Sequence, residues 1–184
     1  ALAAATLARW QEAVGAPVFE GSGLTEAGPV LSFNPARGPA KAGSVGIAVP
    51  RTQIEIVDVE SGQRVLAAGE AGEVRARGPQ IMRGYRGRPD ETAQALRDGW
   101  LYTGDIGELD ADGYLFIRDR KKDMVIVGGY NVYPREVEEV LFAHPDIADA
   151  AVAGEPDAYR GEQIVAHVVL RAGAVRDAEA LLAY

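Results

Sequence analysis

Apolar positions recur along this chain with two periods, and each change of period marks a change of predicted structure. Leu2, Leu7, Trp10 and Val14 fall at helical spacing in an alanine-rich opening that ends near Gly15. Ala16–Phe19 reads as a short buried strand running into the glycine turn Glu20–Glu26. From Ser44 to Arg77 the period drops to two. Gln53–Val59 and Glu73–Arg77 alternate apolar and charged residues, separated by turns at Ser61-Gly62 and Gly69–Gly72. This predicts an antiparallel sheet in a small barrel-like subdomain, its charged alternates forming a solvated face. Gly78-Pro79, Gly84-Tyr85 and Pro89 punctuate the exit. A helix from Asp90 to Arg97 follows, with acids in its first turn. Asp98-Gly99 then turns the chain into Trp100–Asp105, and Asp110–Gly113 reads as a hairpin turn.

The next stretch organises the rest. Arg118–Asp123 is an unbroken run of charge between the apolar runs Tyr114–Ile117 and Met124–Val127. Charge this dense enters a core only if every member is paired, so the run is expected to cross the surface as a connector. Gly128-Gly129 then frees the backbone for a turn or for close approach by a ligand. Pro134 suits the first turn of a helix carrying Val137, Val140 and Leu141 on one face. That helix ends at His144-Pro145. Strands are expected at Ile147–Ala153 and Gln163–Leu170 around a turn at Gly154–Gly161, with a last helix from about Asp177. The pattern reads as a surface linker into a new α/β unit, or as a hinge beside an active site. With an opening that has neither an initiator Met nor a cap and a close inside a helix, the chain reads as a piece of something longer.

Composition narrows the chemistry. The chain has 184 residues, a net charge of −8, two histidines and no cysteine. Nucleic acid is a poor partner for so acidic a chain, because phosphate binding needs concentrated basic surface. Without cysteine there is no disulfide framework, thiolate metal site or thiol nucleophile. A reducing, cytoplasmic location fits. No apolar run approaches the ~20 residues of a bilayer helix. His144 and His167 lack a second ligand at metal spacing.

Two phosphate-loop patterns fail. After Gly21 and Gly23, GxGxxG requires a glycine two places before Gly28, and in GxxxxGK[ST] Ser44 stands where lysine is needed. Asp110-Ala111-Asp112-Gly113 departs from a calcium loop, with Tyr114 at its fifth place and Lys121 at its close. A glycine turn can still hold phosphate through backbone N–H groups and the Thr25 hydroxyl, and Glu26 offers a hard oxygen to Mg²⁺.

Asp119–Asp123, Gly129, Asn131-Val132, Pro134 and Glu136–Glu138 resemble the signature DRxKDxIxxxGxNVxPxEVE of adenylate-forming enzymes, the superfamily of acyl-CoA synthetases, luciferases and peptide-synthetase adenylation domains. Val125 stands in place of the isoleucine. Gly23, Thr25 and Glu26 are similar to the family's YGxTE, with Ser22 where an adenine-stacking ring is usual. Gly72–Thr92 resembles GEVxxRGPxxMxGYxxxPExT, with Asp90 in place of the glutamate, and Trp100–Asp105 resembles WxxTGD.

The resemblance implies an α/β fold in three parts. Residues 1–43 would be the tail of a large N-terminal domain, 44–121 its β-barrel-like subdomain and 122–184 an incomplete, mobile C-terminal lid. It implies an AMP-forming carboxylic acid–CoA ligase acting on a fatty or related organic acid, with ATP, Mg²⁺ and coenzyme A. A carrier-protein-loading enzyme and a non-catalytic AMP or acyl-AMP binder are the alternatives. Gly21, Ser22, Gly23, Thr25, Asp105, Ile117, Arg120, Gly128 and Gly129 would contact nucleotide or coenzyme A. Thr25, Glu26 and Lys122 would serve catalysis, with Glu26 on the metal and Lys122 as pivot of the lid. A homodimer is compatible with the family. Its upstream phosphate loop and downstream adenylation lysine fall outside these residues, so this piece alone is expected to be inactive.

Overall fold

A computed structural model describes residues 4–174 and 177–184. Leu2 of the opening pattern lies outside them. Chain contacts divide the protein into two compact units, Ala1–Lys121 and Lys122–Tyr184.

The first unit begins with helix α1 (Ala4–Val14), which leaves Trp10 and Val14 exposed. No strand forms at Ala16–Phe19. Pro17 has no N–H for a ladder, and Phe19 stays exposed. Pairing starts later, at β1 (Gly21–Gly23), which runs antiparallel to β2 (Val30–Phe33), itself paired with β3 (Ile47–Ala48). Between β1 and β2 lies one 3₁₀ turn, Thr25–Ala27. The glycines of β1 are required by close approach. A Cβ on Gly23 would stand 1.9 Å from the Pro29 carbonyl oxygen, and one on Gly21 would strike the Phe33 ring at 2.5 Å.

A five-stranded antiparallel sheet fills the rest of this unit, in the order β4 (Gln53–Val57), β5 (Gly72–Arg77), β7 (Trp100–Leu109), β6 (Leu96–Arg97), with β8 (Leu115–Arg120) also pairing with β7. Helix α2 (Pro89–Ala95) precedes β6, with Pro89 in its first turn. Ile56, Val74 and Leu115 bury one cluster with Val45, while Ala76 and Leu101 join Ala27 and Leu31 in another. The second cluster ties the 3₁₀ turn to the sheet.

The other sheet face departs from expectation. Instead of a solvated row it carries a stacked layer. Arg75 and Arg77 each lie 4.6 Å from the Trp100 ring, and Arg97 lies 3.5 Å from that of Tyr102. Glu55 accepts from Arg75 at 2.6 Å, and Glu73 is buried. Thr103-Gly104-Asp105 forms an irregularity inside the ten-residue strand β7, where Gly104 adopts φ +72°. One further expectation shifts. Arg118–Arg120 belong to β8, so only Lys121–Asp123 form the turn. Asp110–Gly113 is a hairpin turn, and both of its aspartates hold Lys41.

In the second unit, β9 (Val125–Val127) and β10 (Tyr130–Val132) form a hairpin around Gly128-Gly129, at φ +57° and +88°. Two consecutive positive φ values are what a two-residue turn of this twist demands, hence the glycine pair. Helix α3 (Pro134–Ala143) packs Val137 and Leu141 onto β11 (Ile147–Asp157) and β12 (Gly161–Leu170); Val140 instead stands 52% exposed. The sheet order is β10-β9-β12-β11. Strands β11 and β12 outrun the predicted ones, because Gly154 belongs to the ladder rather than to the turn. A Cβ there would meet the Val125 side chain at 2.8 Å. Helix α4 (Ala178–Leu182) is capped by Asp177, whose carboxylate accepts from Ala180 N–H. His144 stacks edge-on against Tyr184, and His167 is exposed on β12.

Candidate nucleotide site

The 3₁₀ turn presents two side chains side by side. The Thr25 hydroxyl is exposed and makes no hydrogen bond among the described residues. Glu26 is held: its Oε1 accepts from the Tyr85 hydroxyl at 2.8 Å, and its backbone carbonyl accepts from Met82 N–H at 2.8 Å. The Glu26 Oε2 has no donor among the described residues. Ser22 is half-buried in β1 beside them, facing Ser32 across the ladder.

Asp105 and Arg120 are paired on the second sheet. They are register partners across β7 and β8, and Arg120 Nε lies 2.8 Å from Asp105 Oδ1. The irregularity that turns Asp105 toward Arg120 is itself built from side chains. The Thr103 hydroxyl donates to the Val74 carbonyl at 2.8 Å and accepts from Asp105 N–H at 3.1 Å, while Lys121 N–H caps the Gly104 carbonyl at 2.8 Å. Only the Asp105 side chain is largely buried (17% exposed, against 57% for Arg120). Burial raises its pKa above the ordinary aspartate value, and the Arg120 charge offsets only part of that. Ile117 packs partly against the cluster of Val45, Ile56, Val74 and Leu115.

An open cleft of about 530 Å³ lies between α2 and the sheet, lined among others by Glu73, Tyr85, Arg97, Tyr102, Thr103 and Gly104. Glu26, Asp105 and Arg120 do not line it, yet the partner of Glu26 and the neighbours of Asp105 do. Lys122 is exposed in the turn that opens the second unit. Gly128 and Gly129 have open space where their Cβ atoms would be.

No group of three or more His, Cys, Asp or Glu capable of holding a metal occurs among the described residues. Mg²⁺ does not need one, because it usually takes one or two carboxylates and completes its shell with water and substrate phosphate. Glu26, with one oxygen tied and one open, fits that requirement. Sequence reasoning passed over Tyr85 and Glu73. Tyr85 reaches an acid 59 residues away, a separation that carries no local signal.

A turn offering a hydroxyl and an acid, and a carboxylate beside a guanidinium, are groups with which an α/β protein could hold a nucleotide. The profile of the AMP-binding enzyme family matches residues 1–86, and that of the AMP-binding enzyme C-terminal domain matches residues 136–184. The chain belongs to this family of adenylate-forming enzymes.

It is 49% identical over 176 residues to the long-chain-fatty-acid–CoA ligase of Bacillus subtilis (strain 168), which takes in 96% of this chain and 31% of that protein. It is 43% identical over 171 residues to the 2-succinylbenzoate–CoA ligase of Geobacillus kaustophilus, 92% of this chain and 34% of that one. The structure of ATP-bound MatB from Rhodopseudomonas palustris matches with a TM-score of 0.91 at 38% identity, over 97% of this chain and 35% of MatB. The chain thus spans about a third of the length of the curated relatives it matches. Among the described residues no helix is long and apolar enough to cross a membrane.

Proposed function

We propose that the intact protein is an ATP-dependent, AMP-forming ligase that joins a fatty or related carboxylic acid to coenzyme A in the cytoplasm. The observation that carries the reading is the state of Asp105. A carboxylate this far buried, with one oxygen held by Arg120 and no protein donor on the other among the described residues, keeps an acceptor open to a ligand. A ribose diol supplies two O–H donors in the spacing a carboxylate accepts. Asp105 and Arg120 bind the ribose, while Gly21–Gly23 and the Thr25 hydroxyl hold the base edge and the α-phosphate.

The reaction has two steps. A substrate carboxylate oxygen attacks the α-phosphorus of ATP. The bond to the β-phosphate oxygen breaks, and pyrophosphate leaves an acyl-adenylate. The thiol of coenzyme A then adds to the acyl carbon and loses its proton. The acyl–phosphate bond breaks, and AMP leaves with the electron pair. Adenylation is needed because a free carboxylate is a poor electrophile. Glu26 would hold Mg²⁺, which when bound would offset phosphate charge. Lys122, first residue of the second unit, serves as the pivot between the half-reactions, and Gly128-Gly129 leave a path for pantetheine.

The test is AMP release by the full-length protein from ATP and coenzyme A over a panel of carboxylic acids. Long-chain fatty acids are expected to give the highest kcat/KM. AMP release from no acid in the panel would overturn the proposal.

A further inference from the structure

We infer that Tyr85 is a positioning residue for Glu26, and that the loop Gly78–Tyr85 exists to deliver it. The inference rests on the proposed role of Glu26 toward Mg²⁺.

The loop meets the 3₁₀ turn and its flanks at three points. Gln80 Nε2 donates to Thr52 Oγ1 at 2.7 Å and to the Val30 carbonyl at 3.3 Å, pinning the start of the loop beside β2. Met82 N–H donates to the Glu26 carbonyl at 2.8 Å, fixing the backbone of the acid itself. The Tyr85 hydroxyl donates to Glu26 Oε1 at 2.8 Å, fixing its side chain. Gly28, in the left-handed region at φ +54°, leaves room for this approach, since a Cβ there would come within 3.1 Å of the Gln80 carbonyl oxygen.

Tyr85 is held from behind as well. Its N–H donates to Thr92 Oγ1 at 2.9 Å, and that hydroxyl donates to the Arg88 carbonyl at 2.7 Å. Gly84 turns the chain against the same threonine at φ +143°, where a Cβ would stand 2.7 Å from Thr92 Cγ2. Helix α2 therefore anchors the loop, the loop anchors the tyrosine, and the tyrosine anchors the acid.

The consequence is chemical. Glu26 has no other side-chain partner among the described residues, so without the phenol its carboxylate would sample several rotamers. With the phenol on Oε1, Oε2 is the oxygen left for a cation. A phenol suits this task because it donates to a carboxylate without adding charge that would repel the metal.

The experiment uses the full-length protein with a non-hydrolysable ATP analogue and reads Mn²⁺ binding by electron paramagnetic resonance, with ATP–pyrophosphate exchange against free Mg²⁺ alongside. Tyr85→Phe is expected to weaken Mn²⁺ binding and raise the half-saturating Mg²⁺ by about fivefold. The KM for the carboxylic acid and the thermal midpoint should stay within error. Thr92→Val, which removes the anchor of Tyr85 N–H, should move the metal dependence the same way by a smaller factor; it carries the test if Tyr85→Phe folds poorly.

Unchanged metal affinity in both variants, while Glu26→Gln abolishes it, overturns the role of Tyr85 and leaves that of Glu26 standing. Unchanged metal affinity in Glu26→Gln overturns the reading of Glu26 itself, and the inference with it.

Discussion

Two neighbouring residues, the last of β8 and the first of the turn after it, reach two carboxylates, and the pairs differ in kind. Lys121 Nζ lies 2.7 Å from Glu73 Oε2, and Arg120 Nε lies 2.8 Å from Asp105 Oδ1. The distances are equivalent; the surroundings are not. The Glu73 side chain is 4% exposed and its partner 37%. The Asp105 side chain is 17% exposed, and burial raises its pKa in spite of Arg120. The first pair has the form of a structural brace, closing the sheet where β5, β7 and the turn after β8 meet. The second pairs a half-exposed guanidinium with a carboxylate whose other oxygen has no protein donor among the described residues, the form that the proposed ribose site requires. An ion pair drawn from sequence alone would not separate these roles.

The largest effect that could break this comparison comes from Asp105. Asp105→Ala is expected to weaken ATP binding by the intact protein about 100-fold, or roughly 2.7 kcal/mol, through loss of two hydrogen bonds to a charged acceptor. Arg120, mostly in solvent, rehydrates cheaply, so the thermal midpoint should hardly move. Equilibrium titration with ATP checks the first expectation and calorimetry the second. If affinity holds and stability falls, Asp105 is a brace after all.

Lys121→Ala should do the reverse. It strands a buried carboxylate, and breaking such a pair from one side is costly, although Lys121 itself is partly hydrated. About 2 kcal/mol of stability should be lost in denaturant titration, with ATP affinity changed less than about threefold.

How much of this was legible beforehand divides along the same line. Alternation located β4 and β5, and Pro134 and His144 bounded α3, because those signals are local. The strand expected at Ala16–Phe19 failed on Pro17, and the turn expected at Gly154 failed because that glycine makes room for Val125 across the sheet. The alternating Glu73-Val74-Arg75 looked like one wet face and one dry face. Its wet face is covered by Trp100 and Tyr102, which only pairing with β7 brings over it. The motif residues Thr25, Glu26, Asp105 and Arg120 were visible in the sequence. The residues that hold them, Tyr85, Thr92, Thr103 and Val74, also fall on motif positions, but the part each plays was not legible, since each acts through a contact distant along the chain or through a backbone carbonyl.

pH sharpens the comparison by a smaller margin. The folded-state pKa of Asp105 is raised above the unfolded value near 3.8, so between that value and the folded one the native state binds more protons than the unfolded chain. Stability attributable to this group is therefore highest at acid pH and declines as pH rises through that window. Asp105→Asn should remove this decline, making the variant relatively more stable at neutral pH. The proposed ribose contact needs the ionised carboxylate, so ATP affinity of the unsubstituted protein should rise over the same window. Parallel denaturation and binding curves against pH would show the two trends with opposite signs. Trends of the same sign would mean that Asp105 does not accept hydrogen bonds from the nucleotide.

The smallest stability effect belongs to Lys122, next along the chain from the brace. It is exposed and has no ion-pair partner among the described residues, so Lys122→Ala should change stability by less than about 0.5 kcal/mol. Its contrast with Lys121 lies in position, for the boundary between the two compact units falls between them. Lys122→Pro fixes φ at the first residue past that boundary and removes no side chain of either carboxylate pair. If the chain turns there between half-reactions, thioester formation should fall at least tenfold more than ATP–pyrophosphate exchange. Equal losses would assign Lys122 to the fold of the turn. The Glu73–Lys121 brace would then be the last fixed point before the second unit, with the pivot still to be placed further along the chain.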